Sequence, residues 1–288
     1  MTVKDKKKSL YADLSMFIVA IIWGGGFVAV KDALNTITPF YIMTLRFLIS
    51  AVLMCIIFFK RIKKITKKDI KSGSIVGVFL FLGFAFQTVG LKYTSAGKQA
   101  FLTGTYVIIV PFLYWIFTRK RPSKYSFIGA FLTLIGIGMI SIQSTLSINL
   151  GDILTLICAV FFALQIIAIE IFTKNTDPII LTVTQLSLAA ILSFICTIIF
   201  EPISQPLNGQ ALFSIVYLGV FSTMIAFIIQ NVAQKYTYST HAAIILSLES
   251  VFGLLLSVIL LHEVLTFKMI IGCALIFIAI ITTEVKEA

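Results

Sequence analysis

The octapeptide QTVGLKYT at residues 87–94 returns 143 residues farther along the chain as QNVAQKYT at residues 230–237. Gln87 thereby aligns with Gln230 and the run Lys92-Tyr93-Thr94 with Lys235-Tyr236-Thr237. Outward from these two copies the correspondence continues. Gly129 aligns with Gly272 at the same offset, and toward the N-terminus Asp13 and Pro39 correspond to Asp152 and Pro178 at an offset of 139, with the same separation of 26. Four extra residues between the seventh and eighth apolar runs account for the change of offset. Self-similarity at a fixed period marks an architecture built from one unit used twice.

What the unit is made of follows from composition. Of the 288 residues 59% are apolar and 12% charged, too little polar surface to clothe a water-soluble globule of this size. The apolar residues fall in runs of 17 to 23 broken by short polar segments. About 20 residues of helix cross the roughly 30 Å hydrocarbon layer. No alternating ten-residue segments suggest a lipid-embedded barrel. The polar breaks predict an all-α integral membrane protein with ten transmembrane helices, near 13–33, 39–60, 72–92, 96–117, 125–142, 152–172, 179–200, 211–234, 240–261 and 267–284. The lysine-bearing N-terminus precedes a span too long for a signal peptide, so it is expected to be a retained first helix.

Basic residues set the orientation. With the N-terminus in the cytoplasm, eighteen Lys and Arg residues fall on inside segments, among them Lys60, Arg61, Lys63, Lys64, Lys67, Lys68 and Lys71. Only Lys31, Lys92, Lys98 and Lys268 fall outside. That distribution predicts a multi-pass protein of the cytoplasmic membrane with both termini inside. It also explains the net charge of +11 without nucleic acid as a partner, because the cations sit in loops rather than on one binding stripe. A unit of five helices begins on the opposite side of the membrane from its twin. Residues 13–142 and 152–284 are therefore expected to be two inverted five-helix repeats (5+5), an arrangement recurrent in secondary transporters.

Several local stretches resemble the EamA family of the drug/metabolite transporter superfamily: Trp23-Gly24-Gly25-Gly26-Phe27, Arg46-Phe47, Ala96-Gly97-Lys98-Gln99-Ala100-Phe101-Leu102, Pro111, Leu248-Glu249-Ser250-Val251-Phe252 and His262-Glu263. The chain departs from the family pattern at Ser250, where Pro is frequent, and at His262, where Gly is frequent; Lys120 stands at the twin position of Glu263. The resemblance implies a ten-helix carrier whose central cavity is lined by the first, third, fourth, sixth, eighth and ninth helices. It also implies cargo drawn from amino acids, other metabolites or drugs.

Polar residues at membrane depth are the candidates for that cavity, since an ionised side chain there costs about 2.5–3.5 kcal/mol and needs a partner, water or a function. Glu249 lies near the midplane of its span, either as a site for a cationic group or proton, or as a helix-packing carboxyl. Tyr106 is its twin at offset 143. Gln87 and Gln230 are expected to face a common axis and to offer donors and acceptors to a polar solute, or to bond the bundle across helices. Thr103, Gln165 and Asn231 are similar in kind. Trp23, followed by three glycines, is expected either to form an aromatic wall beside a close helix crossing or to pack there without touching solute. Arg46 is close enough to its span end for snorkelling to the outer surface to be the first expectation, with an ion pair or anion contact the second. Lys31 and Glu170, twins at offset 139, are likewise expected to snorkel.

The sum of these features predicts a secondary transporter of small metabolites working by alternating access, on amino acids or related polar or amphipathic solutes, with efflux the expected direction. A proton or another ion is the candidate coupling partner. A multidrug exporter is the nearest alternative; a lipid-acting intramembrane enzyme or a membrane scaffold belongs to other classes. An enzyme is not expected: there is no phosphate-binding loop, no Gly-x-Ser-x-Gly and no His-Glu-x-x-His, and neither the two histidines nor the singly placed Cys55, Cys158, Cys196 and Cys273 have metal-ligand spacing. No cofactor is expected. Reporter fusions or engineered glycosylation sites at the two chain ends should place both on the cytoplasmic face, and ends on opposite faces would dismantle the inverted-repeat argument.

Overall fold

The computed structural model describes residues 3–119, 121–141, 149–202, 207–262, 266–268, 270–272, 274–275, 278–279 and 282. In chain order the helices are α1 (Val3–Ala33), α2 (Pro39–Ile57), α3 (Phe59–Ile62), α4 (Lys67–Gly90), α5 (Ala96–Gly104), α6 (Tyr106–Thr118), α7 (Lys124–Ser141), α8 (Leu150–Thr173), α9 (Pro178–Phe200), α10 (Gly209–Val216), α11 (Ala226–Ala233), α12 (Ser239–Leu246) and α13 (Glu249–Leu261), with a π-helical segment over Tyr217–Ile225 between α10 and α11. Short polar breaks set the starts. Thr66 with Asp69 and Asn149 with Asp152 form reciprocal capping boxes ahead of α4 and α8. Pro39 and Pro178 stand at first helical positions, where a missing N–H leaves nothing unpaired.

Among the described residues eight continuous or broken helices are long and apolar enough to cross a membrane. Their outer faces carry exposed Leu48, Ile199, Phe213 and many similar side chains, a coat suited to lipid and not to water. The span expected at 267–284 is described only in part, and Lys120, Glu263 and Cys273 lie outside the described residues. Besides the π-helical stretch in the eighth expected span and the turn at Phe58 near the end of the second, two expected spans break near their middle. The fourth breaks at Thr105 and the ninth at Ser247-Leu248, positions that coincide at the 143-residue offset. At each break a hydroxyl bends the chain by bonding back to a carbonyl three residues earlier, Thr105 Oγ1 to Leu102 O and Ser247 Oγ to Ile244 O, both 2.6 Å. The two broken spans also end alike, on Arg119 and His262, the non-glycine residues with positive φ (56° each) and again 143 apart.

Packing cuts across the sequence repeat. Helix α8 lies along α4 and against α5 and α6, whereas α1 lies against α10, the π segment, α11, α12 and α13. The first span of each repeat thus joins the third and fourth spans of the other. Twin helices run in opposite directions: Asp13 at the start of α1 stands 3.7 Å from His241, and Lys31 near its end donates to Thr94 O at 2.8 Å. Conversely Asp152 at the start of α8 accepts from Thr94 Oγ1 at 3.2 Å, and Glu170 near its end accepts from Ser239 N at 2.8 Å. Eighteen residues of helix separate the two marks in each case, about 27 Å of rise. Helices α2 and α9 form an antiparallel pair clamped at both ends. Glu201 accepts from the backbone N–H of Phe40 (3.0 Å) and Tyr41 (2.8 Å) at the start of α2, and Arg61 pairs with the N-cap Asp177 of α9 at 2.9 Å.

Glu170 does not snorkel. It is 4% exposed and accepts from Ser239 N, Ser239 Oγ (2.7 Å) and Tyr114 Oη (3.1 Å), because the first turn of α12 supplies unpaired donors that a carboxylate satisfies. Its twin Lys31 instead donates to Leu91 O (2.9 Å) and Thr94 O, carbonyls left over beyond the end of α4. Helices α1 and α13 cross closely. A Cβ added to Gly24 would lie 2.6 Å from Phe252 Cβ and 2.8 Å from Gly253 N, so neither side chain nor backbone could yield cheaply. Gly24→Ala should therefore lower the thermal unfolding midpoint of the detergent-purified protein, through an overpacking cost of about 1–3 kcal/mol.

Candidate functional site

Between the α4–α5–α6–α8 bundle and the bundle of α1 and α10–α13 lies a cavity lined by residues of both and by Arg46 of α2. Much of its wall falls into pairs at the two repeat offsets. At the 139 offset Trp23 pairs with Phe162, Gly26 with Gln165 and Phe27 with Ile166; at the 143 offset Phe84 pairs with Phe227, Gln87 with Gln230 and Tyr106 with Glu249. All twelve residues line the cavity.

The wall combines aromatic and polar side chains. Phe84 meets Phe162 and Phe227 edge-on, with ring centroids 5.2 and 6.1 Å apart, and Trp23 tilts against Phe227 at 5.3 Å. The indole N–H of Trp23 donates to Ser222 O at 2.9 Å. Gln87 donates to Thr103 Oγ1 at 3.3 Å, which places Thr103 behind the wall as a support for Gln87. Gln165 donates to Gln230 Oε1 at 3.4 Å, leaving Gln230 Nε2 without a partner. The Tyr106 hydroxyl is also buried, beside Glu249 and Cys158. Glu249 opens α13 from a position 5% exposed, and no Lys, Arg or His within 4.0 Å pairs with it among the described residues.

Arg46 corrects a sequence expectation. It does not reach the outer surface but is 2% exposed and forms a piece of the cavity wall. Hydroxyls draw it inward: Nε donates to Thr223 Oγ1 at 2.9 Å and Nη2 to Ser222 Oγ at 3.4 Å, while Cζ sits 4.3 Å from the centroid of Phe84. Asn231 is absent from the wall and donates to Thr182 Oγ1 at 2.6 Å, a bond between α11 and α9. Of the nine residues singled out in the sequence, seven meet in the cavity and two stand behind it.

Three kinds of wall residue escape sequence reading. Gln99 is fully buried and donates to Gln87 O (2.6 Å) and Thr155 Oγ1 (3.2 Å), with Oε1 unpaired. Ser222 is silent until Arg46 and Trp23 are seen bonded to it. Phe84, Phe162 and Phe227 are hidden among 26 phenylalanines, though the two repeat offsets applied to Trp23 and Phe84 connect them. Among the described residues no three His, Cys, Asp or Glu side chains converge as metal ligands. The wall thus offers aromatic faces, amide groups, one carboxyl and one guanidinium.

Comparison with known proteins agrees with this architecture. The model of the EamA-like transporter family matches residues 10–142 and again residues 149–284. An uncharacterized transporter of Archaeoglobus fulgidus is 37% identical over 279 residues, covering 97% of this chain and 87% of its own. The uncharacterized transporter YoaV of Bacillus subtilis is 26% identical over 271 residues, covering 91% and 93% respectively. A solved crystal structure superposes with a TM-score of 0.80 over 95% of this chain and 98% of its own at 19% identity, a likeness of fold. The chain is a multi-pass membrane protein that belongs to the EamA-like transporter family, within the drug/metabolite transporter superfamily.

Proposed function

We propose that this protein is a secondary transporter of small polar or amphipathic metabolites, amino acids or their relatives, that works by alternating access and runs in the direction of efflux. In this reading ten helices form two inverted five-helix repeats, over 13–142 and 152–284, in the cytoplasmic membrane with both termini inside. The observation that carries it is the cavity wall, where six twin pairs meet and polar groups with unused hydrogen-bonding capacity stand among aromatic rings. A buried polar atom left unpaired costs about 1–3 kcal/mol, so a static scaffold gains nothing from such a layer, whereas a passing solute can satisfy it.

Motion follows from the packing. The two bundles touch through α5 and α13 toward the Thr94 end and through α6 and α12 toward the Asp13 end. The breaks at Thr105 and Ser247-Leu248 lie between these contacts, at the level of Tyr106 and Glu249. Rocking about that level would open either contact while keeping the other closed, which is what equivalence of two inverted halves permits. Glu249 and the glutamines Gln87, Gln165 and Gln230 would hold the polar end of the solute, with Trp23 and Tyr106 beside its apolar portion; a proton on Glu249 is the candidate coupling ion. A wall rich in phenylalanine also suits apolar cations, the cargo of a multidrug exporter, for which Arg46 would be an unfavourable neighbour.

Purified protein in liposomes tests the assignment. With a panel of radiolabelled amino acids, Glu249→Gln, Gln87→Ala and Gln230→Ala should each reduce uptake about tenfold or more, the loss of one or two hydrogen bonds to a desolvated solute. Wild-type rates in all three variants would remove the site from this cavity.

A further inference from the structure

Arg46 is a charge in the cavity that packing does not explain. Its twin at offset 139 is Gln185, fully buried and neutral, so the equivalent place in the other repeat is filled without a cation. The guanidinium is nonetheless removed from lipid and bulk water, with two hydroxyls and two aromatic rings for company. Among the described residues no carboxylate lies within 4.0 Å of it. A buried guanidinium without an anion is costly to keep.

Its geometry is that of a prepared fork. Guanidinium offers five N–H donors in one plane, and Nε and Nη2 spend two of them on Thr223 and Ser222. Nη1 makes no bond, and the residue borders the cavity. Phe84, with its ring centroid 4.3 Å from Cζ, and Phe47 at 5.6 Å fix where the group can lie. The residues that hold it belong to the π-helical segment, and Ser222 O receives the indole N–H of Trp23 as well. Such π turns often accompany functional sites, and this one ties the cation and the aromatic wall to the same short stretch of chain.

Resting on the carrier reading above, we propose that Arg46 is an anion subsite of the cavity and that the carried solute bears a carboxylate, which Nη1 and Nη2 receive while Glu249 takes the opposite pole. Ser222 and Thr223 are positioning residues that aim the guanidinium. An apolar cation lacking a carboxylate would meet Arg46 as an unpaired like charge and be rejected.

The experiment measures uptake into liposomes of the twenty L-amino acids and, for each acid taken up, of its carboxamide and its decarboxylated amine. Wild type should prefer acid over amide and amine by about tenfold or more, the worth of a charge-assisted hydrogen bond at a desolvated site. In Arg46→Gln that preference should fall to within about threefold, and Arg46→Lys should restore a share of it. In Ser222→Ala combined with Thr223→Val the KM for the acid should rise more than that for the amide. A role confined to packing would lower uptake of acid and amide together and leave their ratio intact, which would overturn the proposal, provided the variants keep the wild-type elution profile. Uptake of amines or amides in preference to acids by wild type would overturn the subsite and leave a carrier; uptake of none of the three classes would overturn both.

Discussion

Hydrocarbon offers no hydrogen bonds, and every polar group placed in it must find its partner inside the chain or in what passes through. That constraint organises the molecule. Helices satisfy their own backbones, and surplus donors and acceptors at helix ends are met by long side chains from elsewhere: Glu170 at the start of α12, Glu201 at the start of α2, and Lys31 beyond the end of α4. Among the described residues some buried side-chain atoms find no such partner, Gln99 Oε1 and Gln230 Nε2 in the cavity wall, and others such as those of Gln185, Ser193 and Thr176 away from it.

Duplication supplies the second organising idea, and its most informative feature is where it fails. Six wall pairs match in position but not always in chemistry: Tyr106 stands against Glu249, Gly26 against Gln165, and, just beyond them, Arg46 against Gln185. Backbone features have stayed alike, down to a helix break and a positive-φ residue in each broken span. One backbone plan thus carries neutral residues in one half where the other half has ionisable ones.

Much of this is legible in the sequence because lipid imposes simple rules. Runs of apolar residues place the spans to within a few residues, as at 179–200 against Pro178–Phe200. The twin octapeptides expose the repeat and draw Gln87 and Gln230 to one wall. Depth along a helix is a poorer guide than direction around it. Arg46 sits within reach of the surface by arithmetic, yet Ser222 and Thr223, 176 and 177 residues away in sequence, hold it inward. Asn231 follows Gln230 in the chain and faces another helix, since adjacent helical residues point about 100° apart. The breaks at Thr105 and Ser247 carry no proline or glycine at the break itself, and hydroxyl back-bonding is too common in helices to signal an interruption from sequence.

Exchange of first spans between repeats has a consequence for biogenesis. As the ribosome delivers the chain, α4, α5 and α6 enter the bilayer before the helix that completes their bundle, α8, has been made, and α1 waits still longer for α10 to α13. Within its own half α1 meets α5 and the turn after α4, while most of the surface it buries waits for α10 to α13, so the larger share of its packing is laid down late in synthesis.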